Sequence, residues 1–277
     1  MIGEDFTIGA SYAGVPGVVI GRTKNFAWAI TAPLQDNADL WREEISEDGL
    51  TYTLDGEQRP LKKTIELIKV KGEEEPVEFA LDYTHRGPVF TSETIKQGAL
   101  LFGGELPSLQ KDEAMSLVWG GSYGITADPM VKFVQKTLTV SGVKEMMDFI
   151  DETNKDGWTG CPINLVMADT KGDIGYMMLT PSPRRKDRTP FLGSRVLDGT
   201  TSAWDWEGIL PTTDLPRSFN PKKGYIVTAN NRQTPDNAAY DIGAALLVPA
   251  RAIRIDEIIR NGIAEGKKFT EQDMSDI

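Results

Sequence analysis

The chain has 277 residues, 40% of them hydrophobic and 26% charged, and a formal net charge of −11. That balance belongs to a globular protein with a sizeable core, in one large domain or two modest ones. No Lys/Arg cluster is interleaved with aromatics and no run of eighteen apolar residues occurs, which argues against a nucleic-acid partner and a membrane-spanning helix.

Strand signals dominate residues 1–125. The segments "GVVIGR" (17–22) and "FAWAITA" (26–32) flank the short turn "TKN". "DLWREEI" (39–45) alternates, and "LTYTLDGEQRPL" reads as strand, Asp-Gly turn, strand. "KKTIELIKVKG" and "PVEFALDYT" alternate on either side of the acidic tip "KGEEEP", which reads as a solvated turn. Each of these period-two patterns predicts a half-buried antiparallel strand.

Helical spacing takes over at 128–153. Asp128-Pro129 is placed to start one helix, and Ser141 to cap a second that carries Val143, Met146, Met147 and Ile150 on one face. Strands return over 163–230, from the hairpin "INLVMADTKGDIGYMML" to "GYIVTANNRQ". A helix over 250–261 is expected to end at Gly262, and Thr270 opens the capping-box pattern "TEQD". Strands, helices, strands, helix make an α+β fold with a large, mostly antiparallel sheet system.

Few residue types are free for chemistry. Cys161 is the only cysteine and His85 the only histidine. An intrachain disulfide, a thiolate cluster and a histidine zinc site are therefore excluded or improbable. "THRGPVF" sets His85 beside Arg86 and a Gly-Pro turn, which favours a structural role over a Ser-His-Asp triad. Asp36, Asn37 and Asp39 fall within four positions after a strand end; they suit either a turn or a hard cation. The pair Asn230-Asn231 closing "GYIVTANN" suits either a turn or a carboxamide aimed at a reacting oxygen.

Several longer segments, in order, resemble the β-subunit of the penicillin acylase (penicillin amidase) family. They are "PGVVIGRTKNFAWAITAPLQDNADLWREE", "HRGPVF", "NLVMADTKGDIGYMMLTPSPRR", "WDWEGILPTTDLPRSFNPKKGYIVTANN" and "ARAIRIDEII". The family more often has the His and Arg of "HRGPVF" in the other order. The resemblance implies an N-terminal nucleophile hydrolase with an αββα sandwich, incomplete at both ends in this chain. In that family a serine exposed at the β-chain N-terminus attacks an amide, and its own α-amine, with a pKa near ~8, serves as base. No histidine is then needed.

Carried over residue by residue, the resemblance puts Ala32 at the backbone oxyanion position and Asn230 at the side-chain one. Asp36, Ala38 by its carbonyl, Asp39, Pro183 by its carbonyl and Asp241 fall on calcium ligands, so a structural Ca²⁺ is expected. Ile20 and Ile163 fall on acyl-pocket positions, and Arg251 on an arginine able to meet a substrate carboxylate. The implied partners are an α-subunit, the remainder of the β-subunit and a small N-acyl amide.

The family's Ser-Asn opening is not matched by Met1-Ile2-Gly3. The expectation is a part of an amide hydrolase, acting on penicillin-like or acyl-homoserine lactone-like compounds, that is inactive by itself. A non-catalytic scaffold or assembly subunit is the alternative. No signal peptide is read in "MIGEDFTIGASY"; a periplasmic or extracellular address is implied by the family only.

Overall fold

The structure is a computed structural model that describes residues 6–15, 17–91, 113–123, 128–186, 195–234 and 249–277. In chain order the strands begin with β1 (Ile8–Ala10), β2 (Ile20–Arg22), β3 (Phe26–Thr31), β4 (Ala38–Glu43), β5 (Thr51–Leu54) and β6 (Glu57–Pro60). They continue with β7 (Lys62–Ile68), β8 (Val77–Tyr83), β9 (Val89–Thr91) and β10 (Ala114–Trp119). Helices α1 (Asp128–Thr137) and α2 (Val143–Thr153) follow, then β11 (Ile163–Asp169), β12 (Ile174–Leu179), β13 (Pro183–Arg185), β14 (Val196–Asp198), β15 (Trp206–Ile209) and β16 (Arg217–Phe219). Helices α3 (Ala250–Ala264) and α4 (Glu271–Asp276) complete the described chain. Two compact units result: residues 1–36, 124–182 and 209–277 form the first, residues 37–123 and 183–208 the second.

The first unit is built on an antiparallel sheet in the order β1-β2-β3-β11-β12-β16. Alternation sorts its side chains. Phe26 and Trp28 of β3, Ile163, Leu165 and Met167 of β11, and Met177 and Leu179 of β12 share one face. That face packs against Phe133 of α1 and Met146, Met147 and Ile150 of α2. Each large side chain buried there contributes about 1.5–3 kcal/mol. The opposite face carries Tyr176 and Met178 against Leu210, Leu215 and Ile226.

Two caps differ from the sequence expectation. The N-terminal N–H of α2 is taken by Asp169, whose carboxylate accepts from Val143 N at 2.8 Å. Ser141 instead donates to Glu145 Oε2 at 2.7 Å. The capping group is thus a residue of β11, twenty-six positions away, which local pattern cannot reveal. Helix α3 likewise runs past Gly262 to Ala264, and Gly266, with φ 78°, follows its end in the left-handed region glycine tolerates. Gly262 serves a different purpose: a Cβ there would lie 2.5 Å from the tip of the Phe269 ring, which would have to shift. The Thr270–Asp273 capping box forms as expected.

Asp169 also accepts the N–H groups of Lys171 and Asp173 in the β11–β12 turn. Asp151 of α2 accepts from both Arg217 Nη atoms and from Thr212 Oγ1. Burial pushes both carboxyls upward, but these donors outweigh it and hold both below the usual aspartate value. A depressed folded-state pKa gives stability that is fully present above the unfolded value, ~3.9, and lost as pH falls from there through the lower folded value. Thermal melts should therefore be flat with pH above about 5 and drop below about 4, and Asp169→Asn should remove part of that drop.

The second unit holds the sheet β14-β4-β10-β9, in which only the β14–β4 pair among the described strands is parallel, with separate ladders β5–β6, β7–β8 and β13–β15. Its interior is partly ionic. Arg86 and Glu43 side chains are 2% and 0% exposed and pair at 3.0 Å. Arg86 also donates to Asp205 Oδ1, Gly199 O and Thr201 O. His85 lies between Tyr52 Oη and Asp205 Oδ2, at 3.0 Å from each. This is the structural role expected of it.

The β7–β8 ladder corrects a further expectation. Its alternation is real, but Ile65, Leu67, Ile68, Val77 and Phe79 are all exposed. Period two reports strand geometry; burial needs a second layer, and none covers these side chains among the described residues.

Candidate active site

The segment Gly224–Asn231 carries no ladder pairing, although its β-branched residues predicted a strand. It is held by side chains instead. Tyr225 Oη donates to Asp256 of α3 at 2.9 Å, and Ile226 packs against the Tyr176–Leu210 cluster. Thr228 Oγ1 lies 2.8 Å from Thr31 Oγ1 at the end of β3. The two chain tips, Thr31-Ala32 and Thr228-Asn230, are thereby brought together.

The two asparagines divide the work. Asn231 turns the chain: its Oδ1 accepts from the N–H of Ala229 at 3.0 Å and from Gln233 Nε2 at 3.1 Å. Asn230 reaches outward. Its backbone sits at φ 60°, a region asparagine tolerates better than bulkier residues. Its Nδ2 donates to Ala32 O at 3.0 Å. One of the two Nδ2 hydrogens is used in that bond, which leaves the second as a donor. Leu34, two residues beyond Ala32, is also at positive φ, 48°, a strained conformation of the kind found beside functional sites.

Arg251, in the first turn of α3, donates through Nη2 to Ala229 O and to Asn230 Oδ1, both at 3.0 Å. The Asn230 carboxamide is therefore gripped at both ends, and its Oδ1 and Nδ2 cannot exchange without losing both contacts. The family resemblance implies an arginine able to meet a substrate carboxylate at this position; in this structure the Arg251 guanidinium holds Asn230 Oδ1. Lys223 and Tyr225 on one side and Asp256 on the other tie the same helix to the same segment.

Two polar residues here escaped the sequence reading. Asn164 of β11 is fully buried, with Thr31 opposite it in the ladder and its Nδ2 3.1 Å from both Thr31 Oγ1 and Thr228 Oγ1. Tyr176 of β12 donates to Asn164 Oδ1 at 2.8 Å. An asparagine inside the apolar run "INLVM" was the available signal, since a buried amide needs partners.

The two expected pocket residues separate. The Asn164–Thr31 pairing sets Ile163 level with Ala32, while the Gly21–Trp28 pairing sets Ile20 level with Ala29. Positions 29 and 32 point to opposite faces. Ile163 is 3% exposed within the helix-covered core, so in this structure it fills space under α1 and α2.

The residues read as calcium ligands also have defined surroundings. Asp39 is buried in the second unit and accepts from Arg185 Nε at 2.7 Å, Arg185 Nη2 at 3.1 Å and Trp206 Nε1 at 2.5 Å. Ala38 opens β4 and Pro183 opens β13 in that unit. Asp36 belongs to the first unit, and Asp241 lies outside the described residues. With a bidentate guanidinium already on both oxygens, Asp39 is a poor fit for Ca²⁺, which would stand beside a fixed cation. Among the described residues no group of three or more His, Cys, Asp and Glu side chains is arranged to hold a metal ion.

Comparison with known proteins gives the family of the chain. The penicillin amidase family model matches residues 4–277. The chain belongs to the penicillin amidase family. Among curated relatives, "Acyl-homoserine lactone acylase QuiP" of Pseudomonas aeruginosa is 29% identical over 252 residues, 90% of this chain and 28% of that protein. "Penicillin acylase 2 proenzyme" of Pseudomonas sp. strain SE83 is 28% identical over 251 residues, 90% of this chain and 29% of that protein. "Penicillin G acylase" of Escherichia coli is 27% identical over 263 residues. The chain thus spans under a third of these relatives' length.

Among solved structures, a thermostable penicillin G acylase from Alcaligenes faecalis superposes with a TM-score of 0.62 at 23% identity, over 87% of this chain and 41% of that one. The likeness is one of fold, that of an N-terminal nucleophile hydrolase. It agrees with the mixed, largely antiparallel architecture expected from the sequence.

Proposed function

We propose that this chain supplies the anion-stabilising half of an amide hydrolase that cleaves N-acyl compounds. The observation that carries the reading is the Asn230 Nδ2 to Ala32 O contact, with Asn230 locked by Arg251. In amide hydrolysis, attack on the carbonyl carbon places negative charge on its oxygen. Donors fixed in advance toward that oxygen lower the barrier because they need not reorganise. The free Nδ2 hydrogen of Asn230 and the Ala32 N–H are the two donors proposed. The nucleophile is a serine with a free α-amine, carried by polypeptide outside these 277 residues; an α-subunit and the rest of the β-subunit complete the enzyme.

An acylase assay tests the reading. This chain alone and the complete enzyme (this chain joined to the relatives' missing segments) are offered a panel of N-acyl-4-nitroanilides with phenylacetyl to decanoyl acyl groups. Turnover is expected only from the complete enzyme. Turnover by the lone chain, or none by an assembly whose serine reacts with a sulfonyl fluoride, contradicts it.

We read Asp39 as the partner of Arg185 and not of calcium. Excess EDTA should then leave the melting temperature of the purified chain within about 1 °C, whereas a calcium site saturated 100-fold above its Kd would contribute about 2.7 kcal/mol and its removal would shift the melt by several degrees.

A further inference from the structure

A buried polar layer lies behind the Ala32–Asn230 contact. Asn164 Nδ2 lies 3.4 Å from Ala32 O as well as 3.1 Å from each of the two threonine hydroxyls. The same carbonyl therefore receives Asn164 from inside the sheet and Asn230 from outside it. A carbonyl only accepts, so it fixes which end of the Asn164 amide is NH₂. That leaves Oδ1 for the Tyr176 hydroxyl, which must donate. Burial raises the Tyr176 phenol far above its ordinary value, so the hydrogen stays in place across the working pH range.

We infer that Asn164, oriented by Tyr176, is a positioning residue for the Ala32–Asn230 pair. Asn164 is fully buried and is not one of the proposed oxyanion donors. Its action is to join the end of β3 to the unpaired Thr228–Asn230 segment, which has no ladder of its own, and to hold Ala32 O where Asn230 can find it. Thr31 and Thr228 share that amide and each other's hydroxyls, so the three residues form one hydrogen-bonded cluster. Without the Asn164 NH₂, the hydrogen bonds that join the two tips among the described residues are the exposed Asn230–Ala32 contact and the threonine pair. This inference rests on the functional reading above and extends it from the donors to what sets their spacing.

The test uses the complete enzyme with N-phenylacetyl- and N-octanoyl-4-nitroanilide, and counts competent molecules by serine titration with a sulfonyl fluoride. Asn164→Asp keeps the acceptor for Tyr176 and removes the donors to Ala32 O and the threonines. Tyr176→Phe removes the orienting hydroxyl alone. Per titrated serine, Asn164→Asp should lower kcat about 10- to 100-fold and Tyr176→Phe about 3- to 10-fold, with KM within twofold, since misplacing groups remote from the chemistry costs up to about 10²-fold. A purely structural role would lower the titrated fraction and leave kcat per serine unchanged, which overturns the inference. Asn230→Ala, measured in parallel, separates the two claims. If Asn230→Ala keeps full kcat the functional reading fails; if it loses kcat while the Asn164 and Tyr176 variants do not, only this inference fails. Should Asn164→Asp not accumulate, Tyr176→Phe carries the same decision.

Discussion

Asn230→Ala in the complete enzyme should lower kcat by about 10²–10³-fold with little change in KM, because a donor aimed at the developing oxyanion acts in the transition state and scarcely in the ground state. The loss corresponds to about 3–4 kcal/mol. Asn230→Asp should be as damaging, since a carboxylate removes both Nδ2 hydrogens and sets a negative charge where one must form. Arg251→Ala should show a smaller loss of the same kind, for it releases Asn230 Oδ1 without removing a donor. Steady-state kinetics over the acyl series reads all three. Unchanged kcat in Asn230→Ala would return this asparagine to the role of a turn residue.

The second large effect is on stability. Arg86→Ala should destabilise the second unit by about 3–5 kcal/mol, because it strands the buried Glu43 carboxylate without its cation. Thr84 and Ser116 also donate to Glu43, but two hydroxyls do not neutralise a charge. Arg86→Lys should recover little, since one ammonium cannot reach Asp205, Glu43, Gly199 and Thr201 together. By contrast, Arg254→Ala breaks an exposed pair with Glu257 and should cost under about 1 kcal/mol. Hydrogen exchange localised to β4, β10 and β14, beside urea unfolding, measures the difference. Equal effects from the two substitutions would show that the Arg86 network does not hold this unit together.

Legibility in the sequence followed the range of the interaction. The hairpins β2–β3, β5–β6 and β11–β12 were readable because alternation and a turn lie within one short segment; Asp55-Gly56, both at positive φ, make the expected turn. The Thr270 capping box was readable for the same reason. Misreadings arose where a distant partner decided the outcome. Asp169 displaced Ser141 as the cap of α2, and Gly224–Asn231 gave up its predicted strand because its anchors are Asp256, Thr31 and Asn164. The exposed β7–β8 ladder shows the converse: a strand pattern with no layer over its apolar residues.

Resemblance supplied Ala32 and Asn230, and geometry alone showed that they meet. It did not supply Asn164 or Tyr176, whose partners lie on three separate segments. Arg185 is a different case. "PRR" sat next to an expected calcium ligand, and nothing in the linear order pairs its second arginine with Asp39, 146 residues away.

The account turns on whether Ala32 and Asn230 receive the oxyanion together, and a crystal structure of the complete enzyme with an acyl-side boronic acid on its serine reads this directly. The boronate oxygen should lie roughly 2.7–3.1 Å from both Asn230 Nδ2 and Ala32 N, with Arg251 still on Asn230 Oδ1. A boronate oxygen bound by other donors, with Asn230 Nδ2 still turned only to Ala32 O, would contradict it.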